Sequence, residues 1–361
     1  MSELVIVATD LYLPAHAPLP TLPGSTARAS EPSGLAHLAR FGTPRALRAR
    51  GWRAWLAARL GHDALAALAP GSVAAAAGPA EPSAGEAVPR FAWIATPVHL
   101  IATLTSVYLD PLGLLRLAPA ERAELVRAFN ENFAALGWRL VATRAGALIA
   151  SGPAPDGAVE TSEPERLLGA SVAAALPRGP GAGPLRRLGS EIEMWLHGLP
   201  LNAARVRAGV PPLSTLWLWG GGPLAAASAA SSRSAPDTAP ARAVLFSDDA
   251  YVEGLAHATA TSWQPAPRSL AAVPVGAPST LVAVPALQAE AAPPESGALP
   301  AQAHELEAFD RVWIAPAIER LARGELTRLA VVANDRCAHL TARDRWKLWR
   351  RPARTALLAW R

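Results

Sequence analysis

Short aliphatic runs alternate with longer segments of helical apolar spacing along most of this chain. The run Leu4–Ala8 (LVIVA) ends at Thr9-Asp10, the pattern of a central strand that delivers an acid to the carboxyl edge of a sheet. A Pro-rich stretch, 14–23, separates it from residues 35–68. There Leu35, Leu38, Leu47, Trp55, Leu56 and Leu60 recur at mostly helical spacing and predict helix. Residues 69–90, rich in Ala, Gly and Pro, read as a flexible connection.

Residues 91–109 are rich in β-branched and aromatic side chains and predict two strands. Pro119 opens a helix running to about Leu136, with Glu121 and Glu124 in its first turns and Gly137 as its stop. Strands WRLVATR and ALIAS follow, joined by a turn near Gly146. Beyond residue 222 an Ala/Ser/Pro tract (225–240) reads as a surface loop. Alternation then resumes with strand ARAVLF, helix DAYVEGLAHAT, strand STLVAVP, a loop at 289–300, a helix over 302–323 and strand RLAVVAN. Such alternation predicts an α/β class with a largely parallel sheet covered on both faces. No internal repeat is visible.

Of 361 residues 51% are hydrophobic and only 17% charged, a globular composition with enough chain for one large domain or two ordinary ones. Lys347 is the only lysine, and the abundance of Ala, Arg and Pro is a chain-wide bias, so a single Arg carries little weight. One cysteine, Cys337, excludes an internal disulfide and fits a reducing compartment. The start, Met1-Ser2-Glu3 and then LVIVA, lacks the basic region and long apolar run of a signal peptide, and no uninterrupted apolar stretch approaches a membrane span. A cytoplasmic protein is expected. The net charge of +5 is uneven: residues 343–361 hold seven basic residues and one acid, which leaves the rest slightly acidic.

The richest segment is 189–222, GSEIEMWLHGLPLNAARVRAGVPPLSTLWLWGGG. It reads as a helix, a Pro-marked corner, a second helix carrying Asn202 and Arg205, and a strand running into Gly220, Gly221 and Gly222. Ligands of doubly wound sheets sit beyond the carboxyl ends of strands, where a Gly-rich turn lets backbone N–H groups approach an anion. His197, Asn202 and Arg205 would add side-chain donors for a phosphate or carboxylate. The competing reading has Asn202 capping the second helix and the glycines permitting a tight turn.

This run resembles the bacterial RpfE-type regulatory proteins and, more distantly, the archaeal-type cofactor-independent phosphoglycerate mutases of the alkaline-phosphatase superfamily. In both, an Asn-x-x-Arg helix precedes an aliphatic strand ending in Trp-Gly-x-Gly. The resemblance implies an alkaline-phosphatase-like three-layer fold with a largely parallel sheet and a small inserted α+β subdomain. Residues 1–342 would form a single α/β domain with 91–185 as the insertion, and 343–361 a basic, Trp-containing C-terminal segment.

The mutases of that superfamily use two closely spaced divalent metals, Mn or Zn, held by Asp and His from several strand ends beside a Ser or Thr nucleophile. Asp10 stands where the first metal-binding acid is expected. The strand at 281–285 should run into Asp-x-x-x-His but continues as Ala286-Leu287-Gln288-Ala289-Glu290. The strand at 330–333 should end in Asp-His but ends in Asn334-Asp335-Arg336, a cation where a ligand belongs. Asp335 and His339 remain as a lone pair, and Thr43 and Ser72 as nucleophiles without a supporting motif.

Asp248-Asp249 open a helix, where they would bind a metal or sugar hydroxyl, or else Asp248 caps the helix and Asp249 meets its positive end. Glu305, Glu307 and Asp310 read as a solvated helix face. His99 and Cys337 read as core or edge residues, Cys337 having no histidine motif nearby. In the tail, Arg345, Trp346, Lys347, Trp349, Arg350 and Arg351 interleave cations with aromatic platforms, which suits nucleic acid or an anionic surface. Alternatively the tail is a terminal helix that buries Trp346 and Trp349 against the sheet.

The expectation is a phosphoglycerate-mutase-like protein with a degenerate metal centre and no cofactor. It would act as a non-catalytic regulatory or interaction protein that binds a protein partner or a small phosphorylated or carboxylated ligand. The alternatives are an active metal-dependent mutase or phosphatase using Asp10, Asp248, Asp335 and His339, and a nucleic-acid accessory protein acting through its tail.

Overall fold

The computed structural model describes residues 3–8, 34–42, 44–48, 51–78, 90–110, 114–231, 243–274, 280–284, 308–333 and 335–346. In chain order the first elements are β1 (Glu3–Val7), α1 (Gly34–Phe41), β2 (Arg45–Ala46), α2 (Gly51–Arg59), α3 (Asp63–Ala66) and α4 (Pro70–Ala74). Then come β3 (Arg90–Val98), β4 (Leu100–Ala102), β5 (Val107–Leu109), α5 (Pro119–Phe133), β6 (Arg139–Ala142) and β7 (Leu148–Pro153). After α6 (Ala182–His197), α7 (Pro200–Arg207), β8 (Thr215–Pro223) and α8 (Ala226–Ser231) the chain continues through β9 (Val244–Ser247), α9 (Ala250–Ala258) and β10 (Ser262–Gln264). The last elements are β11 (Thr280–Val284), α10 (Ala315–Ala322), β12 (Arg328–Ala333) and β13 (Arg336–Leu340). Two compact units emerge: Met1–Leu56, Thr238–Ser247 and Thr261–Arg361 form one, and Ala57–Asp237 with Asp248–Ala260 the other. Residues 91–185 lie within the second.

The first unit is built on a sheet of order β10-β9-β11-β1-β12-β13-β2. β1 runs parallel to β11 and β12, and β9 parallel to β10 and β11. β13 and β2 are antiparallel additions at the edge, so the sheet is mixed, with four parallel strand pairings and two antiparallel ones. The continuous aliphatic run of β1 is what a strand buried on both faces requires, and Leu4, Val5, Ile6 and Val7 are all buried. On one face Leu4, Ile6, Leu329, Val331 and Leu340 pack with Leu38 and Phe41 of α1 and Ala317 and Leu321 of α10.

Two helical expectations are corrected. The span 35–68 is broken into α1, β2, α2 and α3. Pro44 follows Gly42 at the first break, and Gly51 and Gly61 hold φ of 79° and 86°, which side chains resist. The described part of the helix over 302–323 begins at residue 308 and passes through a π-helical turn, Asp310–Ile314, before α10. Pro316 explains the widening, since it cannot donate the next i→i−4 bond and its ring needs room behind it.

In the second unit the sheet β6-β7-β3-β8 is antiparallel throughout. Residues 91–109 form three strands rather than two, because β4 and β5 pair as a separate hairpin. Leu125, Phe129 and Phe133, four apart on α5, bury one stripe of that helix against the sheet, and Leu185, Leu188, Ile192 and Leu196 do the same for α6. Trp195 sets its edge against Phe129 and Phe133 at centroid distances of 5.9 and 5.4 Å. The other face carries Ile94, Val98, Ile149, Trp217 and Trp219, packed with Ala74 of α4 and Ala250 of α9. Gly137, at φ 77°, ends the α5 region as its spacing predicts.

Candidate functional site

The corner between α6 and α7 is held by its own polar residues. Leu199 is the N-cap of α7 and gives no side-chain bond, so Asn202 is not the cap expected of it. Instead the buried Asn202 amide donates to the Leu196 and Leu213 carbonyls, each at 2.8 Å, and its Oδ1 accepts from the Leu213 N–H at 2.8 Å. It thus ties the end of α6 to the chain entering β8. Arg205 donates from Nε to the Pro211 carbonyl at 2.9 Å and from Nη1 to Glu121 Oε1 at 2.7 Å. Glu121 Oε2 in turn accepts the Ala118 N–H at the start of α5. The donors expected to hold an anion are therefore committed to the chain itself, and His197 stands exposed at the end of α6.

Gly220, Gly221 and Gly222 lie inside β8, not in a turn beyond it. Gly220 is seven residues past Leu213, about 23 Å along an extended strand, so the glycines and the Asn202 corner occupy opposite ends of β8. Their role is packing. The register of β8 against β3 shifts between Ala92 and Ile94, and Gly220 takes φ 63° at that irregularity while donating to Thr161 Oγ1 at 3.0 Å. A Cβ on Gly221 would overlap the Trp93 ring, and one on Gly222 would overlap the Ser72 hydroxyl. Gly71 of α4 meets the Ala92 carbonyl just as closely. These contacts bring α4 down onto β8 and leave Ser72 wholly buried, its hydroxyl without a hydrogen-bond partner. A nucleophile so enclosed has no route to a substrate.

The strand end expected to present metal ligands instead reverses. β12 stops at Ala333 and pairs through Arg336 with β13, with Asp335 in the turn at φ 56° and its carbonyl accepting the Leu47 N–H at 2.8 Å. His339 sits opposite Ala330, about 13 Å up β13 from Asp335, so the two do not form the expected pair. His339 Nε2 lies 3.5 Å from Cys337 Sγ, which corrects the view that Cys337 lacks a histidine neighbour. Asp249, not Asp248, caps α9, accepting from the Tyr251 and Val252 N–H groups at 2.9 and 3.3 Å. Among the described residues no three His, Cys, Asp or Glu side chains are grouped to hold a metal. Asp10, Thr43, Asn334 and 286–290 lie outside the described residues.

No family model and no curated protein matches this chain. Several solved structures resemble it weakly, two of them as follows. One is a cofactor-independent phosphoglycerate mutase from Thermoplasma acidophilum, 15% identical, with a TM-score of 0.34 over 94% of this chain and 89% of that one. The other is the PH0037 protein from Pyrococcus horikoshii, 12% identical, with a TM-score of 0.40 over 99% of this chain and 92% of that one. The likeness is to a phosphoglycerate-mutase-like mixed α/β fold and goes no further.

Other polar residues also turn inward. Asp310 is buried and accepts the Leu35 N–H at the start of α1 at 2.6 Å, so it does not belong to a solvated face; Glu305 and Glu307 lie outside the described residues. Sequence reasoning missed Glu253, whose buried carboxylate accepts the Arg144 and Ala145 N–H groups at 2.9 and 3.0 Å and fixes the β6–β7 turn. Its signal was available: it is the one acid within the apolar helix AYVEGLAHA. Also missed was Arg320, buried and donating to the Leu270 and Val273 carbonyls at 2.9 and 3.1 Å.

In the tail, Trp346 is 65% exposed, which favours the platform reading over the buried terminal helix at that residue; the Arg345 side chain, Lys347, Trp349, Arg350 and Arg351 lie outside the described residues. Among the described residues no helix is long and apolar enough to cross a membrane.

Proposed function

We propose that this protein is a non-catalytic regulatory or interaction protein with a degenerate, phosphoglycerate-mutase-like metal centre, acting in the cytoplasm in response to a small carboxylated or phosphorylated ligand. The observation that carries the proposal is the β12–β13 hairpin. Where an acid and a histidine would leave the sheet side by side, the chain turns back and holds Asp335 and His339 apart. The internal commitment of Asn202 and Arg205 supports the same reading, because neither is available to a transferring phosphoryl group. A single cysteine is in keeping with a reducing compartment.

The test is metal content. Full-length protein dialysed against manganese or zinc and analysed by mass spectrometry is expected to retain less than one metal per chain and to leave a chromogenic phosphate ester intact. Two retained metals, with ester hydrolysis abolished by Asp10→Ala, would establish the enzyme instead.

One observation favours a second reading. Trp346 is 65% exposed at the start of the basic segment, and aromatic side chains among cations are what nucleic acid stacks on. That reading requires single-stranded DNA or RNA binding that weakens steeply with salt and is lost when 347–361 is deleted.

A further inference from the structure

The register of the first unit brings two distant stretches of sequence to one edge of its sheet. Arg336 of β13 pairs with Ala46 of β2, and Cys337 with Arg45. Counted over the full sequence, residues 32–56 hold five arginines and no acid, and 335–361 hold eight basic residues against two acids. These two stretches carry +11 of a chain whose total is +5, so everything else sums to −6. A chain-wide bias toward arginine adds cations everywhere; it does not sort the acids away from one edge. Edge protection accounts for Arg45 on a two-residue strand, but not for an excess of basic charge on both stretches that meet there.

Arg45, Arg48 and Arg343 are exposed and Arg336 is half-buried, and none of the four pairs with an acid among the described residues. The acids close by in sequence are Asp335, which sits in the β12–β13 turn, and Asp344, which accepts the Thr341 N–H at 2.6 Å and the Thr341 hydroxyl at 2.8 Å. Side chains alternate along a strand, so Arg45 leaves the edge on the Cys337 face and Arg336 on the opposite one. Arg343 and Trp346 follow the far end of β13, about 13 Å along the strand from Arg336. The basic groups therefore border the edge on both faces and along the length of β13.

Guanidinium forks engage phosphate oxygens in pairs, which suits a phosphodiester backbone. Trp346 is the one large apolar side chain exposed among the described residues of the first unit. A single aromatic ring among cations suits a base that stacks on it, and offers no apolar face to enter a lipid surface. We infer that the β13–β2 edge binds single-stranded nucleic acid, with Arg45, Arg48, Arg336 and Arg343 on its phosphates and Trp346 stacked on a base. The inference is independent of phosphoryl transfer, and it differs from the tail reading above, which rests on residues 347–361.

Fluorescence anisotropy of labelled oligothymidine of about 20 nucleotides, titrated with full-length protein, tests it. Saturable binding is expected, with log Kobs falling against log salt at a slope of about −3, as four phosphate contacts to a single strand require. Arg45→Gln with Arg48→Gln should weaken binding about tenfold at low salt and take about 1.4 off that slope. Trp346→Ala should also weaken it about tenfold. The control is Arg187→Gln with Arg207→Gln, two exposed arginines of the second unit that change net charge by the same amount; its affinity should stay within about twofold of the parent. In a full chain with Lys347, Arg350 and Arg351 changed to Gln, the edge substitutions should weaken binding by the same factor. Loss of all binding from those three substitutions alone would leave the tail reading standing and overturn this one. Absence of saturable binding, parent affinity in the edge or Trp346 variants, an equal loss in the control, or equally tight binding to anionic phospholipid vesicles would overturn it as well.

Discussion

Asn202 makes three hydrogen bonds within one buried corner, and each of its partners is a backbone group that solvent cannot reach once the side chain is gone. Asn202→Ala should therefore cost about 2 kcal/mol, since both Leu213 groups lose their Asn202 partner in a buried setting while the Leu196 carbonyl keeps the Leu199 N–H at 3.1 Å. A loss below about 0.5 kcal/mol in urea unfolding would show that Asn202 is not structural. Ser72 calls for the opposite result. Its hydroxyl is buried without a partner, so Ser72→Ala is expected to leave stability unchanged or raise it by about 1 kcal/mol. His37, tilted against Phe41 with ring centroids 4.6 Å apart, is held below its ordinary pKa of 6.5, first by burial and then by Arg40. The folded state thus binds fewer protons than the unfolded chain, so this contribution is full above that pKa and lost as pH falls below it. Denaturation midpoints measured from about pH 7 down to about pH 5 should fall less steeply in His37→Gln than in the parent, and parallel slopes would rule this out.

The contact of α4 with β8 shows how elements rather than residues set the use of the glycines. Gly71, Gly221 and Gly222 stand where a Cβ would strike the Ala92 carbonyl, the Trp93 ring and the Ser72 hydroxyl. Gly221→Ala should cost about 2 kcal/mol by overpacking, with retained stability pointing to a free surface there. Arg205 joins α7 to the start of α5 through Glu121, with exposures of 6% and 24%, so the pair is only partly screened. A double-mutant cycle on Arg205→Gln and Glu121→Gln should return a coupling of about 2 kcal/mol, and near-additivity would remove the link. The strands β1, β9, β11 and β12 and the helices α5 and α9 are legible from apolar runs, spacing and capping residues, because burial imposes those patterns locally. The commitment of Asn202 and the reversal at Asp335 were not. Each depends on which backbone groups a side chain meets after folding, and Asn-x-x-Arg or Asn-Asp reads the same with or without a ligand.

At the scale of the whole molecule the chain combines a mixed sheet with an antiparallel one in two compact units. Its excess positive charge is concentrated after residue 342. That segment carries the second reading. The proposal to be tested at this scale is that the chain does not transfer phosphoryl groups. Isomerisation of 3-phosphoglycerate by the full-length protein, in the presence of added manganese or zinc, tests it most directly. The account predicts a rate indistinguishable from that of the metal alone; turnover that scales with protein and disappears in Asp10→Ala would contradict it.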